Sequence, residues 1–257
     1  MFVNFCLAAA KGSGDPGRRS HRLFLPPPQA AANLAGGPTA RLDFGGSSLD
    51  SQERILRLEI IKVCRKLESR GLIAASDGNV SCRAGEDCIL ITPSGVSKGD
   101  MEVDEIAKTC MRGNLLEGPL RPSSEIRMHL LVYRMRPEVS AIVHAHPPVA
   151  TALTLAGYPF NSKVLPEVWM MLGKVPVAPY ATPSTDEVPK SIEPYIMDSR
   201  AILLERHGAL TLGRSLMEAW MRMEKLEHCA KILFYASMLE DRTAPVALSE
   251  AEIAKLG

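Results

Sequence analysis

The stretch Ala141-Ile142-Val143-His144-Ala145-His146 constrains the fold of this 257-residue chain more than any other. Its apolar residues read as a buried strand that runs directly into two histidines. In an extended segment residues i and i+2 point to the same side, so His144 and His146 can meet one ion. A second apolar run, Ala201-Ile202-Leu203-Leu204-Glu205-Arg206, ends at His207 and is followed by Gly208. Three imidazoles with an open fourth position suit a catalytic Zn²⁺, and the same set accepts Mn²⁺ or Co²⁺. His21, His129 and His228 lack such a context and read as surface or packed residues.

The surrounding pattern predicts helices covering a sheet. A helix is expected from Leu49-Asp50, with Asp50 and Glu53 as a capping-box-like start and Leu56, Ile60, Val63 and Leu67 as its apolar stripe. Gly71 should end it. Asn79–Arg83 and Cys88–Thr92 flank a turn and read as a hairpin. Helices follow at Ser124–Met135 and Pro148–Ala156, with further strands at Val175–Ala178 and Ala201–Glu205. The last long helix opens at Ser215 with Glu218 as capping partner, and carries Leu216, Trp220, Met223, Leu226, Ala230 and Leu233 on one stripe. Strands mixed with helices, without regular βαβ alternation, argue for one α/β (mixed) domain over residues 49–257. Residues 1–48 are rich in Gly, Pro and Ala and lack a face to bury, so a disordered arm is expected there.

Composition narrows the partners. The net charge is +1, with 46% hydrophobic and 23% charged residues. Without a clustered basic field, neither nucleic acid nor a membrane surface is an expected partner. The cysteines at 6, 64, 82, 88, 110 and 229 contain no CxxC pair, which excludes a paired-cysteine zinc site and fits reduced thiols in a cytoplasmic protein.

Three further groups offer anion-binding chemistry. Arg121-Pro122-Ser123-Ser124-Glu125 sets two hydroxyls beside the free N–H groups of a helix start. Ser76-Asp77-Gly78-Asn79 and Thr92-Pro93-Ser94-Gly95 are glycine-containing turns that present N–H and hydroxyl donors of the kind that hold phosphate oxygens.

Taken in order, DGNVS, ITPSG, PSSEIRMH, VHAHPP, APYAT and HGAL make the chain resemble the class II aldolase/adducin family over about residues 52–252. The resemblance implies a single-domain fold with a central mixed or antiparallel β-sheet flanked by helices, and a homotetramer with sites at subunit interfaces. It implies His144, His146 and His207 as zinc ligands and Glu125 as general acid/base. Gly78, Asn79, Ser94, Gly95, Ser123 and Ser124 correspond to positions that hold the substrate phosphate. The implied activity is cleavage of a small phosphorylated sugar, a ketose 1-phosphate, to dihydroxyacetone phosphate and an aldehyde.

Two departures from the fuculose 1-phosphate type stand out. Val164-Leu165-Pro166-Glu167-Val168-Trp169 lacks the tyrosine expected there, and a second tyrosine, in a C-terminal tail, would lie beyond Gly257. Glu167 is then the candidate for proton transfer at the aldehyde oxygen, while Tyr180 reads as a packing residue. The pattern from Leu165 to Thr182 is similar to members that cleave 5-deoxyribulose 1-phosphate. Epimerases, dehydratases and decarboxylases share the scaffold, and adducin-type binding proteins use it without the metal residues.

Overall fold

The computed structural model describes residues 48–239 and 246–256, so the arm expected over residues 1–48 lies almost wholly outside the described residues. Helix α1 (Ser48–Ser69) turns its apolar stripe inward, and Ile60, Val63 and Leu67 are buried. Its C-terminus has the expected form. Gly71 adopts φ +65°, its N–H bonds the Glu68 carbonyl and the Leu72 N–H bonds that of Leu67. The helix begins at Ser48, one residue before the expected start, and the Glu53 carboxylate accepts from Arg57 (2.7 Å) and Lys108 (2.6 Å).

Eight strands form one mixed sheet: β1 (Asn79–Arg83), β2 (Cys88–Ile91), β3 (Ala107–Cys110), β4 (Leu115–Glu117), β5 (Ala141–Ala145), β6 (Val177–Ala178), β7 (Ala201–Leu204) and β8 (Gly208–Gly213). Their order is β4-β3-β2-β1-β5-β8-β7-β6, antiparallel except for the parallel β6–β7 pair. Three of these strands escaped the sequence reading for identifiable reasons. β3 carries Lys108 among short side chains, β4 is fully exposed at the edge, and β8 opens and closes on glycine.

Helices cover both faces. Helices α2 (Ile126–Met135) and α5 (Glu187–Ile192) pack on one, against Ile89, Ile91, Ile142, Ile202 and Leu210. On the other lie α1, α3 (Pro148–Leu155), α4 (Pro166–Leu172) and α6 (Leu216–Met238). A last short helix, α7 (Glu250–Ile253), is capped by Ser249. β5 is buried along its whole length, with Ala141, Val143 and Ala145 on the α1/α6 face and Ile142 on the other. By alternation His144 shares the Ile142 side. No helix among the described residues is long and apolar enough to cross a membrane.

Ser215 caps α6 as expected, its hydroxyl accepting from the Glu218 N–H (3.1 Å), while the Glu218 carboxylate takes the Arg214 N–H and pairs with Arg222. The whole expected stripe of α6 is buried. Glu227 interrupts that apolar surface at 2% exposure for a reason. Its carboxylate accepts the Val149 (3.2 Å) and Ala150 (3.0 Å) N–H groups and so caps the first turn of α3, directly after His146-Pro147. Removing it leaves one buried donor, the Ala150 N–H, and one partly buried donor, the Val149 N–H, without this partner. Glu227→Ala is therefore expected to cost about 2 kcal/mol and to lower Tm by about 4–8 °C, with Glu227→Gln costing less. Calorimetry checks this, and an unchanged Tm in the alanine variant would show that the cap is dispensable.

Candidate metal centre

Strand register assembles the centre. Asn79 on β1 lies opposite His144, and on the other side His144 lies opposite Leu210 of β8. Leu204 pairs with Gly208, which leaves His207 in the tight β7–β8 turn beside the end of β5. That turn requires Arg206 at φ +58°, a left-handed conformation steadied by its N–H donating to Thr154 Oγ1 (3.1 Å). Gly208 permits the approach: a Cβ there would meet the Ala145 carbonyl at 2.3 Å and the His146 ring at 2.8 Å. Gly78 (φ +70°) does the same beneath β5, where a Cβ would lie 2.9 Å from the His144 carbonyl.

Ligand-capable atoms of His144, His146 and His207 lie within 4.8 Å of one another. His144 is fully buried, and its Nδ1–H donates to the Ala209 carbonyl (3.0 Å). This fixes the tautomer and leaves the Nε2 lone pair facing His146 Nε2 at 3.2 Å. Glu125, the residue preceding α2, aims Oε2 at His144 Nε2 (3.1 Å) and Oε1 at His207 Nε2 (3.3 Å). Oε1 is buried and has no hydrogen-bond partner. Converging imidazole lone pairs beside an unsatisfied carboxylate oxygen are a donor set that fits a divalent transition-metal ion.

The electrostatics agree with that fit. Burial, helped by His144, pushes the His207 imidazole down to about 4, and lowers His146 for the same reasons. Burial would also lower His144, but the Glu125 charge and hydrogen bond outweigh it and raise the pKa. Burial would raise Glu125; the His144 charge and hydrogen bond, then His207 and Asn79, hold it well below the usual carboxylate range. The pull that favours a proton on His144 favours any cation at the same place.

A cavity of about 320 Å³ opens over the triad. All six residues matched to phosphate positions, Gly78, Asn79, Ser94, Gly95, Ser123 and Ser124, line it together with Glu125, His146 and His207. The two loops of hydroxyl donors are stitched to each other. Ser94 Oγ accepts from the Ser124 N–H (3.0 Å) and donates to the Pro122 carbonyl (3.1 Å), while the Ser123 N–H bonds the Thr92 carbonyl (3.1 Å). Three lining residues, Lys98, Pro183 and Ser184, were missed by the sequence reading. Lys98 is 2% exposed, its Nζ bonds the Ser76 and Val96 carbonyls, and burial lowers its pKa. Ser184 Oγ meets Ser124 Oγ at 2.7 Å.

The structure also explains His129, which is packed rather than on the surface. It is fully buried and burial pushes it down to about 3, so its ring is neutral. Asn79 Nδ2 donates to Glu125 Oε2 (2.9 Å), so Asn79 Oδ1 must accept from His129 Nε2 (2.6 Å). His129 Nδ1 then accepts from the Ser81 hydroxyl (2.7 Å), which in turn accepts from the Tyr133 hydroxyl (2.8 Å). A signal for this existed in the sequence: His129 follows Glu125 by four residues, one helical turn. His228 is exposed and His21 lies outside the described residues.

Glu167 is not brought to this group. It sits at the start of α4 and lines a different cavity, of about 780 Å³, with Arg136, Arg200, Arg214 and Arg222. Within one chain it therefore has no path to the triad, because α4 packs on the opposite face of the sheet from Glu125 and α2. Tyr180 is 57% exposed, which corrects its reading as a packing residue.

Residues 58–234 match the family model described as the class II aldolase and adducin N-terminal domain. The chain belongs to the class II aldolase and adducin family. Among its relatives it is 35% identical over 209 residues (79% of this chain, 96% of the relative) to a 3-oxo-tetronate 4-phosphate decarboxylase of Escherichia coli O6:H1. It is 30% identical over 205 residues (78% and 92%) to a 5-deoxy-D-ribulose 1-phosphate aldolase of Bacillus thuringiensis. A solved L-fuculose 1-phosphate aldolase superposes with a TM-score of 0.72 at 33% identity, covering 79% of this chain and 94% of that one.

Loss of one imidazole should empty the centre. His144→Ala is expected to abolish stoichiometric metal binding, whereas Glu125→Gln should keep most of it. Metal analysis after dialysis tests both, and full metal content in His144→Ala would remove the triad.

Proposed function

We propose that this chain is a metal-dependent aldehyde-lyase that cleaves a small ketose 1-phosphate, of the 5-deoxyribulose or fuculose 1-phosphate type, to dihydroxyacetone phosphate and an aldehyde. One observation carries the reading: a three-imidazole cation site, an ionised carboxylate and two donor-lined loops meet around a single cavity. In this reading Zn²⁺, with Mn²⁺ or Co²⁺ as alternatives, is held by His144, His146 and His207 and supplies Lewis acidity toward charge developing on the ketose oxygens.

Gly78, Asn79, Ser94, Gly95, Ser123 and Ser124 hold the phosphate through N–H and hydroxyl donors. Binding at that remote group supports positioning at the reacting carbons. When the carbon–carbon bond breaks, its electrons remain on the phosphate-bearing fragment as an enediolate. Glu125, ionised at rest, removes this proton from dihydroxyacetone phosphate in the condensation direction; in the cleavage direction it first takes up a proton from solvent and then delivers it to the enediolate carbon. Asn79, oriented by His129, keeps Glu125 aimed at the centre. The hydroxyl proton of the other fragment leaves as the aldehyde forms. Glu167 acts there in this reading only across a subunit interface, as in the homotetramer usual for the family. A cytoplasmic sugar-phosphate enzyme fits the whole.

The decarboxylase relative favours a second reading. Loss of CO₂ from a 3-oxo-tetronate 4-phosphate leaves the same enediolate, and protonation gives the same dihydroxyacetone phosphate. Only the leaving group differs: an aldehyde requires removal of a hydroxyl proton, whereas CO₂ requires none.

The test starts from the shared product. Metal-loaded protein in heavy water should exchange one carbon-bound hydrogen of dihydroxyacetone phosphate stereospecifically, as followed by proton NMR. Chelation and Glu125→Gln should each abolish the exchange. Condensation with short deoxy-aldehydes then marks the aldolase, and CO₂ release from the 3-oxo acid phosphate marks the decarboxylase. Bound metal without exchange, condensation or CO₂ release would reject both.

A further inference from the structure

Away from the metal centre, β2 and β3 bring two cysteines face to face: Cys88 is the register partner of Cys110. The flanking hydrogen bonds decide what kind of pair this is. The Met111 N–H donates to the Asp87 carbonyl, so the next pair along is the hydrogen-bonded one. The Cys88 carbonyl accepts from Ala84 on the β1 side, and the Cys110 N–H donates to Asn114 on the β4 side. Cys88 and Cys110 thus occupy a non-hydrogen-bonded position, where opposite Cα atoms sit about 4.5 Å apart and both side chains leave the same face. A disulfide spans Cα separations of about 4.4–6.8 Å, so the bond fits with no change of register.

Chemistry separates this pair from the other described cysteines. Burial pushes the Cys64 and Cys82 thiols up to about 12 and that of Cys229 up to about 11, which keeps them protonated and inert. Cys88 and Cys110 are only half-buried. The backbone N–H of Arg112, followed by those of Asn114 and Gly113, lowers the Cys110 pKa against a weaker opposing effect of burial. Cys88 Sγ is anchored by a hydrogen bond to the Ala84 carbonyl (2.7 Å).

We propose that Cys88 and Cys110 form a reversible dithiol–disulfide couple, oxidised by a low-molecular-weight disulfide. The Cys110 thiolate attacks one sulfur of the reagent, forms a mixed disulfide and expels one thiolate. Cys88, losing its proton, attacks Cys110 Sγ and expels the second. The two protein thiols give up two protons and two electrons, and the reagent leaves as two thiols; excess thiol reverses both steps. The bond pins β2 to β3 at the end of β2 remote from the Thr92–Gly95 loop.

Peptide mapping tests the couple in the folded, full-length chain. After incubation with oxidised glutathione and alkylation of the remaining thiols, the Cys88 and Cys110 peptides should be joined and two hydrogens lighter than the reduced pair. Dithiothreitol should restore both. Cys88→Ser should instead trap glutathione on Cys110. Recovery of Cys88 and Cys110 as separately alkylated peptides, or of Cys110 joined to Cys6, would overturn the proposal.

Discussion

The pairing of β5 with β1 on one side and β8 on the other is the constraint on which the site depends. A strand buried along its whole length must have its backbone groups paired, and both neighbours meet that requirement with antiparallel ladders. The ladders set Asn79 beside His144 and bring the β7–β8 turn, with His207, to the end of the same strand. A slip by one residue would move His144 to the α1/α6 face, away from Glu125 and His129. Gly208 and Gly78 allow two close backbone approaches that any side chain would block.

Around that frame the polar groups form a line of one polarity. An ionised carboxylate only accepts, so Glu125 dictates the orientation of Asn79, Asn79 dictates the tautomer of His129, and His129 dictates the direction of the Ser81 and Tyr133 hydroxyls. Buried networks are costly when partly satisfied, and this one ends on a single unpaired atom, Glu125 Oε1, at the triad. The one shortfall in the network coincides with the place where a cation fits.

The relatives differ in what they cleave, while the chemistry they require overlaps. A decarboxylase acting on a 3-oxo-tetronate phosphate and an aldolase releasing dihydroxyacetone phosphate share an enediolate and differ in the departing group. In this chain the donor-lined loops and Glu125 gather around one cavity. Glu167, the residue expected on the leaving-group side, lines another.

Much of the candidate site was legible in short stretches because its chemistry depends on local spacing. The i, i+2 pair His144 and His146 at a strand end, the Pro-Ser-Ser-Glu helix start and the glycine turns each carry their geometry within a few residues. The sequence by itself therefore determined the family, the mixed α/β class, and the residues, three imidazoles and six further positions, that the fold gathers at one place. Tertiary structure decided what depends on distant partners. β3, β4 and β8 are strands because neighbouring strands supply the hydrogen bonds, not because their side chains favour extension. His129 matters through Asn79, fifty positions earlier in the chain. Glu167 was separated from the triad by the sheet itself, since spacing along a chain carries no information about which face a helix will cover.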